Sequence, residues 1–189
     1  MLDLPEQFLT LQTSRLTLRK LVIEDAEDIF AYACDPQVSR YTLWEAHRSI
    51  NETYEYLNNF VFKMYGDGTG MTWGIVEKES NKIIGTCSLH VQSVHRRAEM
   101  GYTLARTYWG QGLMPEAVKA MIAFGFHVMQ LLRIQAYCAV ENVNSARVLE
   151  KSGMQYEGTL RNYVFTQNRP WDVRMYAIAN DWHLTDVLS

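Results

Sequence analysis

Apolar and polar residues alternate along four stretches in the first 105 residues of the chain, a pattern typical of β-strands. Leucine alternates with charged and polar residues in residues 15–21. Residues 71–77 and 83–94 place apolar side chains at odd positions, and the polar residues 79–82 between them predict a hairpin turn. Residues 97–105 continue the alternation. The pattern therefore predicts a strand, then a meander of three antiparallel strands.

A repeat of 3.6 residues predicts two helices after the first strand. The first helix follows Asp25 and ends at Asp35, because the residue before Pro36 avoids the helical conformation. The second helix begins at residues 49–52, which have the form of a capping box, and runs to Gly66. Its predicted apolar face consists of Ile50, Tyr54, Leu57, Val61, Met64 and Tyr65.

The later part of the chain contains stretches with the two-residue period of strands and stretches with the 3.6-residue period of helices. The predicted elements are a helix over residues 115–130, a strand over 132–140, a short helix over 144–152 closed by Gly153, and two strands over 155–166 and 173–179. A strand, a helix and a strand in succession imply a right-handed crossover, which is expected to bring the strand ends near Leu104 and Val140 close together. These patterns predict an α+β fold with a mixed sheet.

The composition fits a single domain and argues against a membrane or a nucleic acid as a partner. With 189 residues, 48% of them hydrophobic, the chain can bury a sizeable core. No apolar run approaches the roughly 20 residues that cross a bilayer, and no signal segment opens the sequence, so we expect a soluble, cytoplasmic protein without a membrane partner. A net charge of −3 gives no general reason to bind nucleic acid.

The cysteines and histidines form no pattern that predicts a metal site or a disulfide. Cys34, Cys87 and Cys138 are odd in number and lack C-x-x-C spacing, which fits a reducing compartment. The five histidines also lack ligand spacing. We therefore expect no metal.

The stretch AEMGYTLARTYWGQGLMPEA, residues 98–117, joins a predicted strand to a helix through a Gly-x-Gly turn. Gly110 and Gly112 let the backbone approach a ligand closely, and Pro115 with Glu116 begins a helix whose positive N-terminus favours an anion. No lysine follows as in a P-loop, and Pro115 stands where a dinucleotide-binding fingerprint has its third glycine. The turn therefore predicts a pyrophosphate cradle of another kind.

The segment RIQAYCAVENVNSARVLEKSGMQYEGTLRN follows this helix. Together with the Gly-x-Gly turn, it resembles the GNAT superfamily of acetyl-CoA-dependent N-acetyltransferases. Asn142-x-x-Ser145, the helix end at residues 150–153 and the strand at residues 157–161 are most similar to the RimJ/RimL branch, which acetylates the N-termini of ribosomal proteins. The likeness covers essentially the whole chain, because residues 14–19, 40–44 and 172–176 also resemble that branch.

The resemblance implies a single GNAT domain over residues 1–189, with about four helices and a mixed, mostly antiparallel sheet of six to seven strands. It implies that the strand of residues 99–105 and the strand ending near Val140 splay apart, and that the pantetheine arm of acetyl-CoA enters the gap like a strand. The pyrophosphate would lie on backbone N–H groups of residues 109–114, and the pantetheine amides would lie against residues 104–106. The implied acetyl-CoA-binding residues are Leu104, Ala105, Arg106, Trp109, Gly110, Gln111, Gly112, Leu113, Met114, Asn142 and Ser145.

The resemblance also implies direct attack of an amine on the thioester. Glu99 matches a glutamate that acts as general base through water in some members, and the alternative is a surface strand residue. Enzymes similar to RimL carry a second glutamate where this chain has Val164. Ser145 matches the residue that protonates the leaving thiolate, and Asn142 matches a pantetheine ligand, although both are also ordinary helix-capping residues.

The resemblance places the acceptor site between the loop before the second helix and the last hairpin. Its implied walls are Tyr41, Trp44, Tyr163, Phe165 and Trp171. Large aromatic side chains more often belong to a core, which is the alternative for each of them.

The sequence leaves three functions open. The acceptor of the acetyl group is the N-terminal α-amine of a protein, such as a ribosomal protein, or it is a small amine such as a polyamine, an amino acid or an antibiotic. The third function is an acyl-CoA-binding module without turnover. An α-amine has an unperturbed pKa near 8 against about 10.4 for lysine, so a weaker base suffices for it. The protein is expected to be a monomer or a homodimer.

Overall fold

The computed structural model describes residues 9–180, which contain eight strands in one sheet. The strands are β1 Leu11–Gln12, β2 Leu16–Lys20, β3 Gly70–Glu77, β4 Ile83–Gln92, β5 Arg97–Leu104, β6 Arg133–Ala139, β7 Gln155–Thr166 and β8 Arg169–Ala179. Their spatial order is β1-β2-β3-β4-β5-β6-β8-β7. Neighbours are antiparallel except β5 and β6, which are parallel.

Residues 9–180 also form five helices, which cover both faces of the sheet. They are α1 Ala26–Ala33, α2 Pro36–Ser39, α3 in three continuous segments (Ile50–Tyr56, the π-helical Leu57–Phe62 and Lys63–Asp67), α4 Leu113–His127 and α5 Val143–Lys151. The larger core joins α4 and α5 to one face of the sheet, through residues such as Met121 and Leu149. The smaller core joins α1 and α3 to the other face, through residues such as Ile29 and Leu57. The predicted α+β class is confirmed.

The alternation predicts β3 to β7 to within two residues at either end. The sheet has eight strands rather than six or seven because β1 is only two residues long, which is too short to show a period. β8 begins four residues before the prediction, because the hairpin turn consists of Gln167 and Asn168 alone. Both have positive φ, 51° and 57°, as a tight two-residue turn requires.

The capping box predicted at the start of α3 is wrong. The Ser49 side chain makes no capping hydrogen bond, and Oε2 of Glu52 accepts the N–H of Arg48 at 2.9 Å instead of that of Ser49. The predicted apolar face is also wrong at Tyr54, which is exposed, while Thr53 is buried. The π-helical segment adds a residue to one turn, so the buried face changes phase along the helix.

β5 and β6 pair only where they begin. The register joins Arg97 to Arg133, Ala98 to Ile134 and Glu99 to Gln135, after which pairing ends. Residues 100–104 and 136–139 therefore border a gap in the sheet, as the resemblance implied. The crossover runs from the end of β5 to the start of β6 and brings the starts of the two strands into register, whereas no pairing between these strands reaches the ends near Leu104 and Val140, which the sequence led us to expect close together.

Within residues 9–180, no helix is long and apolar enough to cross a bilayer, and no three His, Cys, Asp or Glu side chains are grouped to hold a metal. Cys34 is exposed, whereas Cys87 and Cys138 are buried, and all three are free thiols. Burial raises the pKa of the Cys87 and Cys138 thiols, so both stay protonated at neutral pH.

Candidate active site

Along the edge of β5 that borders the gap, backbone N–H and C=O groups point away from β4. The N–H of Ala105 donates to the C=O of Ile84 at 2.8 Å, which fixes the phase of the β4–β5 ladder. In an antiparallel pair, successive residues direct their backbone N–H and C=O groups alternately toward and away from the partner strand. Met100, Tyr102 and Leu104 therefore direct these groups toward the gap. The C=O of Leu104 accepts the indole N–H of Trp109 at 2.8 Å. An extended chain that carries amides fits this edge as an added strand.

The loop after β5 forms a concave turn at the start of α4. Gly110 and Gly112 have φ of 78° and 76°, values that favour glycine, and α4 begins at Leu113 directly after them. Pro115 lies in the first turn of this helix, where the absence of its N–H costs no hydrogen bond. The backbone N–H groups at the N-terminus of this 15-residue helix favour an anion, and they lie at the turn for which the sequence predicts a phosphate cradle.

Arg15 and Glu116 hold this loop from outside. Nη1 of Arg15 donates to the C=O of Gln111 at 3.0 Å, and Nε donates to Oε2 of Glu116 at 2.8 Å. Oε1 of Glu116 also accepts the hydroxyl of Thr13 at 2.6 Å and the N–H of Arg15 at 2.9 Å. Burial raises the pKa of Glu116, but these hydrogen bonds outweigh burial and lower the pKa to about 2. The sequence analysis did not identify this anchor.

The Arg106 side chain is turned away from the cradle. Its Nε donates to Oδ2 of Asp35 at 2.8 Å, on the side of α1 and α2. The N–H of Gln37 and the Arg106 guanidinium both lower the pKa of Asp35. The prediction that Arg106 contacts acetyl-CoA therefore remains for its backbone and not for its side chain.

Asn142, Ser145 and Tyr102 meet at the gap, on the face covered by α4 and α5. Oδ1 of Asn142 accepts the N–H of Ser145 at 3.2 Å, so Asn142 caps α5, the alternative considered from the sequence. Oγ of Ser145 lies 2.8 Å from the Tyr102 hydroxyl. Burial raises the pKa of Tyr102, so this hydroxyl keeps its proton. Tyr102 was missed, although its even position on β5 predicts this face.

Glu99 lies on the opposite face of β5, half-buried beside β4 and β6. Nε2 of Gln135 donates to its Oε2 at 3.4 Å, and His90 stands directly across from it in register. Burial lowers the pKa of His90, and the Glu99 charge partly opposes this shift. Burial, followed by the Glu99 charge, raises the pKa of Tyr137. Glu99 is thus placed within a polar cluster on the sheet rather than on a solvated edge.

A row of rings leads from the loop before α3 to His90. The ring centroids of Trp44 and His47 are 5.4 Å apart, those of His47 and Tyr56 6.3 Å, those of Tyr56 and Phe60 5.8 Å, and those of Phe60 and His90 5.8 Å. Of this row, the sequence identified Trp44 alone. The others were missed because His47 lies in the loop, Tyr56 and Phe60 on α3 and His90 on β4, and local periodicity does not bring these segments together.

A small pocket of about 70 Å³ lies at the end of β6, on the same face as Glu99. Its lining residues are uncharged: Tyr41, Thr42, Leu43, Tyr137, Cys138, Ala139, Val164, Thr166, Trp171 and Val173. Two predicted acceptor residues, Tyr41 and Trp171, line it. Tyr163 contacts the ring of Tyr137 edge-on at 5.6 Å, and Phe165 is 74% exposed outside it.

A donor with a pyrophosphate and an extended amide arm would use both the cradle and the open edge of β5. Coenzyme A thioesters combine these two parts. The fold and the site therefore define a coenzyme A-dependent acyltransferase.

The comparisons with known proteins agree. A model of the acetyltransferase (GNAT) domain matches residues 15–155. The N-acetyltransferase YoaA of Bacillus subtilis, itself uncharacterized, is 36% identical over 173 residues, which are 91% of this chain and 97% of that protein. The ribosomal-protein-serine acetyltransferase of Escherichia coli is 30% identical over 100 residues, which are 52% of this chain and 56% of that enzyme.

Two solved structures carry coenzyme A on the same fold. The spermidine N-acetyltransferase of Vibrio cholerae, in complex with CoA and spermine, gives a TM-score of 0.76 at 26% identity and covers 88% of this chain and 96% of its own. RimL, a ribosomal L7/L12 alpha-N-protein acetyltransferase in complex with coenzyme A, gives a TM-score of 0.82 at 20% identity. The match covers 91% of this chain and 98% of the RimL chain.

The chain belongs to the GNAT family of N-acetyltransferases and is similar to its RimJ/RimL branch. Acetyl-CoA is the acetyl donor of this enzyme.

Proposed function

We propose that this enzyme acetylates the N-terminal α-amine of a protein. The observation that carries the proposal is the placement of Glu99 and Ser145 on opposite faces of the sheet. Glu99 is at the last paired position before the gap between β5 and β6, and Ser145 contacts Tyr102 beside the gap. An amine that approaches from the Glu99 face meets a thioester in the gap, and the leaving sulfur departs toward the Ser145 face. The proposed base and acid thus stand on opposite sides of the reacting carbon.

In this mechanism Glu99 accepts, through water, the proton that the attacking amine loses. The new C–N bond forms as the C–S bond breaks. The Ser145 hydroxyl gives its proton to the thiolate and regains one from solvent, while Glu99 releases to solvent the proton it accepted. The Tyr102 hydroxyl, hydrogen-bonded to Oγ of Ser145 at 2.8 Å, keeps its own proton and orients the Ser145 hydroxyl. The backbone edge of β5 and the cradle at Gly110 and Gly112 hold the donor in place, which supplies the positioning part of catalysis.

The pocket chemistry favours an α-amine over a polyamine. A polyamine carries several positive charges, and its recognition requires carboxylates in the pocket. The described residues that line the pocket of about 70 Å³ are all uncharged, and Val164 is one of them. A peptide α-amine also requires less help from a base, because its unperturbed pKa of about 8 lies near neutrality.

The test is release of the coenzyme A thiol from acetyl-CoA, with peptides that bear free Ser, Ala, Thr or Met N-termini and, in parallel, a panel of small amines. We expect saturable release with peptides and none when the same peptides are N-terminally blocked. Release with spermidine or other small amines alone would overturn the proposal in favour of a small-molecule enzyme. Acetyl-CoA binding without release from any acceptor would indicate a binding module instead.

A further inference from the structure

Two arginines flank the pocket, each stacked on an aromatic ring that lines it. Cζ of Arg40 lies 5.2 Å from the centroid of the Tyr41 ring, and Cζ of Arg169 lies 3.3 Å from the ring of Trp171. The two rings contact each other edge-on, with centroids 5.6 Å apart. The four side chains therefore form one continuous row, called here the Arg40–Tyr41–Trp171–Arg169 stack, whose two rings line the pocket.

Neither guanidinium forms an ion pair with a described carboxylate, and Glu45 lines a surface cavity together with Arg40. Among the ion pairs of residues 9–180, none includes Arg40 or Arg169, and both side chains are exposed. Two carboxylates close by in sequence have other partners, because Glu45 pairs with Arg48 at 3.0 Å and Asp172 accepts the N–H of Asn162 at 2.8 Å. The stack thus presents two positive charges to solvent.

The two arginines belong to different segments that the fold fastens together. Nε2 of Gln167, in the β7–β8 turn, donates to the C=O of Ser39, the last residue of α2, at 3.2 Å. Arg40 directly follows Ser39, and Arg169 begins β8. Their spacing is therefore fixed before a ligand arrives, which lowers the entropy lost when both bind one partner.

The register gives the distance from the stack to the proposed base. Gln135, the partner of Glu99, is four residues from Ala139 along β6, and Trp171 is two residues beyond Val173, the partner of Ala139. Six residues of strand span about 20 Å. An extended acceptor chain with its α-amine at Glu99 would reach the stack at about its sixth residue.

We propose that the Arg40–Tyr41–Trp171–Arg169 stack selects acceptor proteins that carry acidic residues around the sixth position after the N-terminus. This inference rests on the proposed N-terminal acetyltransferase activity. The guanidinium groups pair with the carboxylates, and the rings keep the guanidinium planes oriented. Acidic residues at the second position lie too near Glu99 to reach the stack.

The test measures kcat/KM for peptides of equal length that differ only in where they carry glutamates. One has them at about the fifth to seventh positions, one at about the second and third, and one has glutamine throughout. We expect the first peptide to exceed the glutamine peptide by about fivefold, the scale of two exposed ion pairs, and the preference to shrink in high salt. The double variant Arg40→Gln/Arg169→Gln should remove the preference, so that the first peptide and the glutamine peptide have equal kcat/KM.

The matched control is Lys82→Gln/Lys151→Gln, which removes two exposed positive charges far from the pocket and should keep the preference. Equal rates for all three peptides with the wild-type enzyme would overturn the proposed docking while the acetyltransferase activity stands. A preference that survives in the arginine double variant would overturn it too. Acetylation of none of the peptides would instead contradict the proposed function itself.

Discussion

Nε of Arg15 donates to Oε2 of Glu116 at 2.8 Å, which joins two residues that are 101 positions apart in the chain. The same guanidinium reaches the C=O of Gln111 in the loop before α4. The loop proposed to hold the donor pyrophosphate is therefore fastened to the start of β2, which lies four strands away from β6 in the sheet. This cross-link leads to the first two predictions.

Replacing Arg15 with alanine should weaken acetyl-CoA binding. The substitution removes charge-assisted hydrogen bonds to the loop and to Glu116, and such bonds contribute about 1.5–3 kcal/mol each. We expect KM for acetyl-CoA to rise by about tenfold or more, with a smaller change in the KM of the acceptor. Arg48→Ala is the matched control, because its pair with Glu45 is largely exposed on both sides. An unchanged KM in Arg15→Ala would show that the loop keeps its form without the anchor.

Glu116 should make the stability of the protein sensitive to acid. Its pKa is about 2 in the folded protein against an ordinary value of 4.5, so the unfolded chain binds the proton more tightly. The stabilisation is complete above about pH 4.5 and is lost as the pH falls toward 2. Thermal unfolding of wild type and Glu116→Gln checks this. The difference in Tm between them should be largest near neutrality and should narrow below pH 4.5, and a constant difference would contradict the prediction.

Gly112→Ala should damage the cradle through backbone strain. The added Cβ would meet nothing closer than Nη2 of Arg15 at 3.7 Å, so there is space for it, but φ of 76° is unfavourable for alanine by about 1–2 kcal/mol. We expect a lower Tm and a higher KM for acetyl-CoA. Gly66→Ala is the control, because it is helical, lacks a positive φ and has open space around it. Its helix propensity predicts a gain of about 0.5–1 kcal/mol.

Glu99→Gln should separate catalysis from donor binding. The amide keeps the shape of the side chain and its contact with Gln135, but it cannot accept the proton of the amine. We expect kcat to fall by about 100-fold or more, with KM for acetyl-CoA unchanged. Glu79→Gln, in the exposed β3–β4 turn, should have full activity. A normal kcat in Glu99→Gln would remove Glu99 from the mechanism.

Tyr102→Phe should slow departure of the thiolate without loosening the fold. The hydroxyl bonded to Ser145 is lost, whereas the buried ring remains. We expect kcat to fall by about tenfold and Ser145→Ala to cost more, since general acid catalysis contributes about 100-fold or more. Thiols with a lower pKa need less protonation, so a donor with a more acidic leaving thiol should recover part of the rate. An equal loss with both donors would assign Tyr102 a packing role.

The sequence predicted those parts of the molecule that depend on local order. β7 was predicted at its exact bounds, and the turn at Gly110 and Gly112 was predicted from glycine spacing before a helix start. The Arg15–Glu116 anchor, the Tyr102–Ser145 pair and the Arg40–Arg169 stack were not predicted, because each joins segments that tertiary structure alone brings together. The predicted capping box at Ser49 is wrong for a related reason. The Glu52 carboxylate accepts the N–H of Arg48, the preceding residue, instead of the N–H of Ser49.

The two halves of the sheet, β1–β5 and β6–β8, are joined by strand pairing at three residue pairs between β5 and β6. Beyond these pairs the two halves are joined by the larger core, to which Met100 of β5 and Ala136 of β6 both belong, and a donor laid across the gap would contact both halves. Acetyl-CoA bound in this way would link the two halves of the sheet, and its binding should raise the melting temperature by an amount that grows with the logarithm of its concentration above Kd.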